Sequence, residues 1–100
     1  DKIMSAIKIG IVEDEGITSE VIRLSLQKLK YNIAKPAFTF DQALLMFEKE
    51  KPDLVLIDIK LGENRDGIEL AEILKEKHQT PFIFITANSC ESFSNIIGRF

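Results

Sequence analysis

Hydrophobic and polar positions along the chain follow two alternating periods. Ile7-Lys8-Ile9-Gly10-Ile11-Val12 is a short β-branched run, the pattern of a strand with at least one buried face. Ile17, Val21, Leu24 and Ile22, Leu26, Leu29 then recur at three and four residues, which predicts an amphipathic helix over about Ile17–Lys30. Asn32–Phe38 reads as a weaker strand; Pro36 confines it to an edge or a boundary, because proline cannot donate to a ladder. Thr39-Phe40-Asp41-Gln42 has capping-box spacing and opens a predicted helix over Asp41–Glu50, with Leu44 and Phe47 inward and Pro52 beyond its end. Leu54–Ile57 is a second strong strand. Asp66-Gly67-Ile68-Glu69 offers another helix start, leading into Ile68–Lys77 with Ala71 and Leu74 on the inner face. Pro81 precedes a third strongly apolar strand, Phe82–Ile85, and a short helix through Ile96 and Ile97 is expected to start at Asn88 or Ser89.

The order is βαβαβαβα, without repeats or an internal linker. Strands apolar on both faces and separated by helices predict an α/β fold with a parallel sheet covered on each side. Right-handed crossovers make that sheet doubly wound. The expectation is one domain over residues 1–100, with residues 1–6 a tag remnant or a disordered start.

Composition narrows the function classes. No apolar run approaches the roughly 18 residues that span a bilayer, and no secretory signal is seen in Asp1–Gly10, so no membrane association is expected. A net charge of −3 gives no global electrostatic reason to bind nucleic acid. The single cysteine, Cys90, has no intramolecular partner and fits a reducing cytoplasm. His78, the sole histidine, reads as a solvated residue at a helix end, and the phenylalanines at 38, 40, 47, 82 and 84 read as core.

The candidate chemistry lies where strands end. Ligands of open α/β sheets bind outside the carboxyl ends of the strands. Glu13-Asp14-Glu15 follows the first strand, Asp58 follows Leu54–Ile57, and Thr86 follows Phe82–Ile85. If the first and second strong strands are neighbours, Glu13, Asp14 and Asp58 share one small space. Two carboxylates ~5 Å apart repel by roughly 3 kcal/mol at an effective dielectric of 20. Either one of them holds a proton, or a cation sits among them. A hard divalent ion is the natural resident, and Mg²⁺ suits carboxylates plus waters and an incoming phosphate.

These segments resemble the receiver domain of two-component response regulators. The matching text is IGIVEDE, then PDLVLIDIKLGENRDGIELAEIL around the central aspartate, then FIFITAN, together covering Ile7 to about Asn88. The resemblance implies a flavodoxin-like fold of strand order 2-1-3-4-5. It implies that Asp58 accepts a phosphoryl group from a sensor histidine kinase or phosphotransfer protein, as a carboxylate nucleophile. It implies Mg²⁺ held by Asp14, Glu13, Asp58 and the backbone carbonyl of Lys60, with Thr86 donating its hydroxyl to a phosphoryl oxygen as the switching step. Ala87 would leave room for the phosphoryl group, and Lys60 and Asn88 would set its lifetime. Such a domain signals to an effector, which the sequence does not identify, and catalyses only its own phosphorylation and dephosphorylation.

The chain departs from the pattern at its end. The family's (βα)5 fold has a fifth strand followed by a lysine and a fifth helix, but only 14 residues follow Thr86 and no lysine follows Lys77. That leaves (βα)4, and the expectation is a natural chain that continues past Phe100 rather than a shortened variant. Phe82–Ile85 would then be an apolar sheet edge, for which homodimerisation, strand exchange or limited solubility is expected. Two other enzyme readings fail on specific residues. Haloacid-dehalogenase-like phosphatases need a second aspartate where Lys60 stands, and no GxGxxG or GxxxxGK[ST] turn exists for a nucleotide. The remaining alternative is a receiver-like scaffold that binds a partner without being phosphorylated.

Overall fold

The computed structural model describes residues 7–59, 61 and 67–85. Four strands, β1 (Lys8–Val12), β2 (Asn32–Ile33), β3 (Leu54–Asp58) and β4 (Phe82–Ile85), form one parallel sheet of order β2-β1-β3-β4. The helices between them are α1 (Gly16–Lys28), α2 (Phe40–Glu50) and α3 (Gly67–Ile73), the last continued by a wider π-helical turn over Leu74–His78. The expected tail helix near Asn88 lies outside the described residues. Among the described residues, no helix is long and apolar enough to cross a membrane.

Strand alternation sorts the core into two layers. Ile9, Ile11 and Leu56 point to the face covered by Ile22 and Leu26 of α1. Val12, Val55 and Ile57 point to the other face, where Phe40, Ala43, Met46 and Phe47 of α2 meet Leu70 and Ala71 of α3 and Leu74 just after it. Among the described residues, one helix on one face and two on the other give the doubly wound arrangement that the strand pattern predicts.

Local differences from the sequence reading have physical reasons. β2 is only two residues long because Pro36 offers no N–H; the ladder resumes where Ala37 N–H donates to Ile11 O at 3.0 Å. The Thr39 side chain does accept the Gln42 N–H at 3.1 Å, but Gln42 returns its own bond to the Phe38 N–H at 2.9 Å, one residue before the expected partner. In α1 only Ser19, Ile22 and Leu26 are buried, whereas Ile17 is 83% exposed and Val21, Leu24 and Leu29 are exposed too. Phe38 also departs from the core expected of it, at 41% exposed, while Phe40 and Phe47 are buried. Phe82 and Phe84 are half-buried and meet edge to face, ring centres 5.3 Å apart. His78 sits in the turn closing the third helix, edge-on to Phe47 at 5.9 Å.

Candidate functional site

The register of β1 against β3 sets the site. Ile11 pairs with Leu56 and Val12 with Ile57, so the next step of the ladder puts Glu13 level with Asp58. Both residues share alternation parity with the Ile9, Ile11 and Leu56 layer, so they leave the sheet on the same face. The Glu13 N–H still donates to Ala37 O at 3.1 Å, which keeps this residue in the sheet before the chain turns into α1. Asp14 follows at the exposed rim of the turn. One carboxylate oxygen from each of Glu13, Asp14 and Asp58 lies within 4.8 Å of the other two.

Glu13 is the most constrained of the three. Its exposure is 0%, against 6% for Asp58. Oε2 accepts the Glu15 N–H at 3.1 Å, while Oε1 is buried with no hydrogen-bond partner. Burial pushes the Glu13 carboxyl up from 4.5 to about 8; the Glu15 N–H works against this, and Asp14 and the Asp58 charge add to it. An unpartnered carboxylate oxygen costs desolvation free energy that a cation among three oxygen donors would restore, so this donor set fits a hard divalent ion. Glu15 stands at the N-cap position of α1, exposed, and its carboxylate accepts from the Thr18 hydroxyl at 2.8 Å rather than joining the cluster.

Of the residues expected at the site, Glu13, Asp14 and Asp58 converge. Lys60, Thr86, Ala87 and Asn88 lie outside the described residues. Two residues to which the sequence reading gave no role are tied to the same sheet edge. Ile59 N–H donates to Ile85 O at 3.3 Å, and Gly67 N–H donates to Ile59 O at 2.8 Å. The only sequence signal for Gly67 is its Asp-Gly dipeptide before an apolar period, which marks a helix start without disclosing what the glycine touches.

Comparison with known proteins gives a consistent picture. The response regulator receiver domain family model matches residues 9–96. Similar solved structures include the response regulator PhyR from Brucella abortus, at 39% identity and a TM-score of 0.74 over 84% of this chain and 35% of that one. The PhyR receiver domain from Erythrobacter litoralis is 37% identical, with a TM-score of 0.76 over 84% of this chain and 65% of that one. The signal receiver domain of a modulated diguanylate cyclase from Desulfovibrio desulfuricans G20 is 28% identical, with a TM-score of 0.76 over 93% of this chain and 74% of that one. The chain thus spans about a third of the Brucella PhyR chain it matches. With a parallel sheet of order β2-β1-β3-β4, an acidic cluster at its carboxyl edge and a family match over most of its length, the chain belongs to the response regulator receiver domain family.

Proposed function

We propose that this domain is a phosphoacceptor switch in which the Asp58 carboxylate takes a phosphoryl group from the phosphohistidine of a sensor histidine kinase or phosphotransfer protein. The observation that carries the reading is the convergence of three carboxylates at the carboxyl edge of β1 and β3, with Glu13 Oε1 buried and unpartnered.

In the transfer, an Asp58 oxygen attacks phosphorus as the P–N bond breaks. The electron pair stays on the imidazole, which leaves neutral because its other nitrogen keeps its proton. Water attack on the same phosphorus later returns the carboxylate and releases inorganic phosphate. Glu13, Asp14, Asp58 and the Lys60 carbonyl are the proposed ligands of Mg²⁺, which when bound neutralises charge on the phosphoryl oxygens. In the metal-free site burial favours a proton on Glu13, and a cation held among the three carboxylates would displace it, which ties transfer to metal loading. Thr86 is assigned the hydroxyl that reads the phosphoryl group, Ala87 the space beside it, and Lys60 and Asn88 its lifetime. The domain catalyses no reaction on another substrate; it passes its state to an effector, in the cytoplasm where such donors operate.

The test is phosphorylation of the full-length protein by acetyl phosphate, read by intact mass. A gain of one phosphoryl group that needs Mg²⁺ and vanishes in Asp58→Asn is the expected result. A wild-type protein that gains nothing in the presence of Mg²⁺ would instead establish the unphosphorylated scaffold.

A further inference from the structure

Gly67 opens α3 directly against the end of β3. A Cβ built on it would stand 2.7 Å from Ile57 Cγ2 and 3.0 Å from the Asp58 carbonyl carbon, and closer still to the Asp58 carbonyl oxygen. Two of those three atoms belong to the backbone of the acceptor residue itself, so they cannot rotate away as a side chain could. The approach is held by the Gly67 N–H on Ile59 O at 2.8 Å, while the Ile59 N–H is held by Ile85 O at 3.3 Å. One chain of contacts therefore runs from the first residue of α3, across Asp58 at the end of β3 and Ile59 just after it, to the last residue of β4.

Gly10 supplies an internal comparison. A Cβ there would come within 2.9 Å of Met46 Sδ and Cε and 3.3 Å of Pro52 Cγ, all side-chain atoms. Met46 has rotatable bonds with which to yield. Both positions are crowded, but only at Gly67 is the obstacle the peptide of Asp58.

We infer that Gly67 is a positioning residue for phosphoryl transfer: its missing side chain lets α3 seat on the Asp58 carbonyl, which fixes the angle at which the Asp58 carboxylate faces Glu13 and Asp14. The inference rests on Asp58 being the phosphoacceptor. A side chain at 67 lifts α3 or rotates the Asp58 peptide, and a misplacement of about 1 Å at a reacting group costs on the order of 100-fold in rate.

The experiment compares Gly67→Ala and Gly10→Ala in the full-length protein. Phosphorylation by acetyl phosphate is followed over a Mg²⁺ titration, and rates are divided by the folded fraction from circular dichroism at the same low temperature. Gly67→Ala is expected to slow phosphorylation by at least roughly tenfold and to raise the Mg²⁺ concentration for half-maximal rate. Gly10→Ala is expected to lower the melting temperature while keeping both parameters. A Gly67→Ala protein that is folded and phosphorylates like wild type overturns the inference. So does loss of rate in both variants in proportion to lost stability, or failure of Gly67→Ala to fold at any temperature, since the glycine then serves folding alone. Failure of the underlying reading has a different signature, in which the wild type itself gains no phosphoryl group at Asp58.

Discussion

At the amino ends of β1 and β3, the Asp53 carboxylate accepts the Lys8 N–H at 2.8 Å, and the Asp53 N–H donates to Lys8 O at 2.7 Å. Glu50 lies beside them, accepting the Lys35 N–H at 2.9 Å through Oε2 and facing Lys8 Nζ at 3.7 Å through Oε1. At the carboxyl ends of the same two strands, Glu13, Asp14 and Asp58 face one another, and a buried oxygen of Glu13 has no partner. The two edges carry the same residue type within one sheet. Backbone donors and a lysine meet the acids at one edge; at the other, burial leaves Glu13 Oε1 unmet and pushes the Glu13 carboxyl up. The difference teaches where free energy of folding is given up in favour of a binding function.

The largest expected effect comes from breaking that difference at Glu13. Its carboxyl is raised from 4.5 to about 8 by burial, so between those values the folded chain holds a proton that the unfolded chain has released. Stability of the Mg²⁺-free protein should therefore be fully present below pH 4.5, fall as pH rises, and reach its lower level above about 8, with a slope of at most about 1.4 kcal/mol per unit. Glu13→Gln keeps the shape and cannot ionise. It should flatten this profile and stabilise the Mg²⁺-free chain at pH 8, while weakening Mg²⁺ binding. Urea unfolding across that pH range, with and without Mg²⁺, measures both signs. A Glu13→Gln protein that loses stability at pH 8 would erase the contrast between the edges.

How much of this was legible in the sequence depends on whether one chain segment decides the matter. Element order and the doubly wound class need only local periods and the right-handed crossover, and Leu54–Ile57 or Phe82–Ile85 admit few other readings, whereas strand order came only with the family resemblance. Convergence of Glu13, Asp14 and Asp58 follows from β1 and β3 being neighbours. The ranking among them did not come through: Asp58 stood out as a charge after an apolar run, yet Glu13 is the more deeply buried. Strand parity and the pairing of Val12 with Ile57 would have disclosed it, but register belongs to two segments together. In the same way the two apolar stripes of α1 are equal in period, and only the sheet decides that Ile22 and Leu26 go inward while Ile17 does not. Gly67 is the extreme case, since close approach to the Asp58 carbonyl leaves no mark on hydropathy.

A smaller effect is expected from the paired edge. Asp53→Ala removes the acceptor of the Lys8 N–H and leaves the Asp53 N–H on Lys8 O in place. One exchanged hydrogen bond at a solvent-accessible strand end should cost about 1 kcal/mol, read as a lower urea midpoint with unchanged slope. Phosphorylation and its Mg²⁺ requirement should not move. Were they to weaken, the two edges would be mechanically coupled through β1 and β3, and the division of labour between them would be wrong.

The smallest effect sharpens the comparison most. Glu50→Gln removes the charge facing Lys8 Nζ, but the amide keeps an oxygen for the Lys35 N–H, and Lys8 Nζ keeps its contact with the Glu50 carbonyl at 3.4 Å. Both side chains of this pair are partly exposed. Water therefore screens the lost attraction, and the expected change is below about 0.5 kcal/mol, fading further in high salt. The isosteric acid-to-amide change at Glu13 should by contrast stabilise the Mg²⁺-free protein and remove a pH dependence. The same exchange of oxygen for nitrogen thus has opposite meaning at the two ends of one sheet, because a carboxylate already met by donors has little to lose. A salt-resistant loss above about 1.5 kcal/mol in Glu50→Gln would mean that Lys8 and Glu50 form a desolvated pair, and the paired edge would then owe its stability to charge rather than to backbone hydrogen bonds.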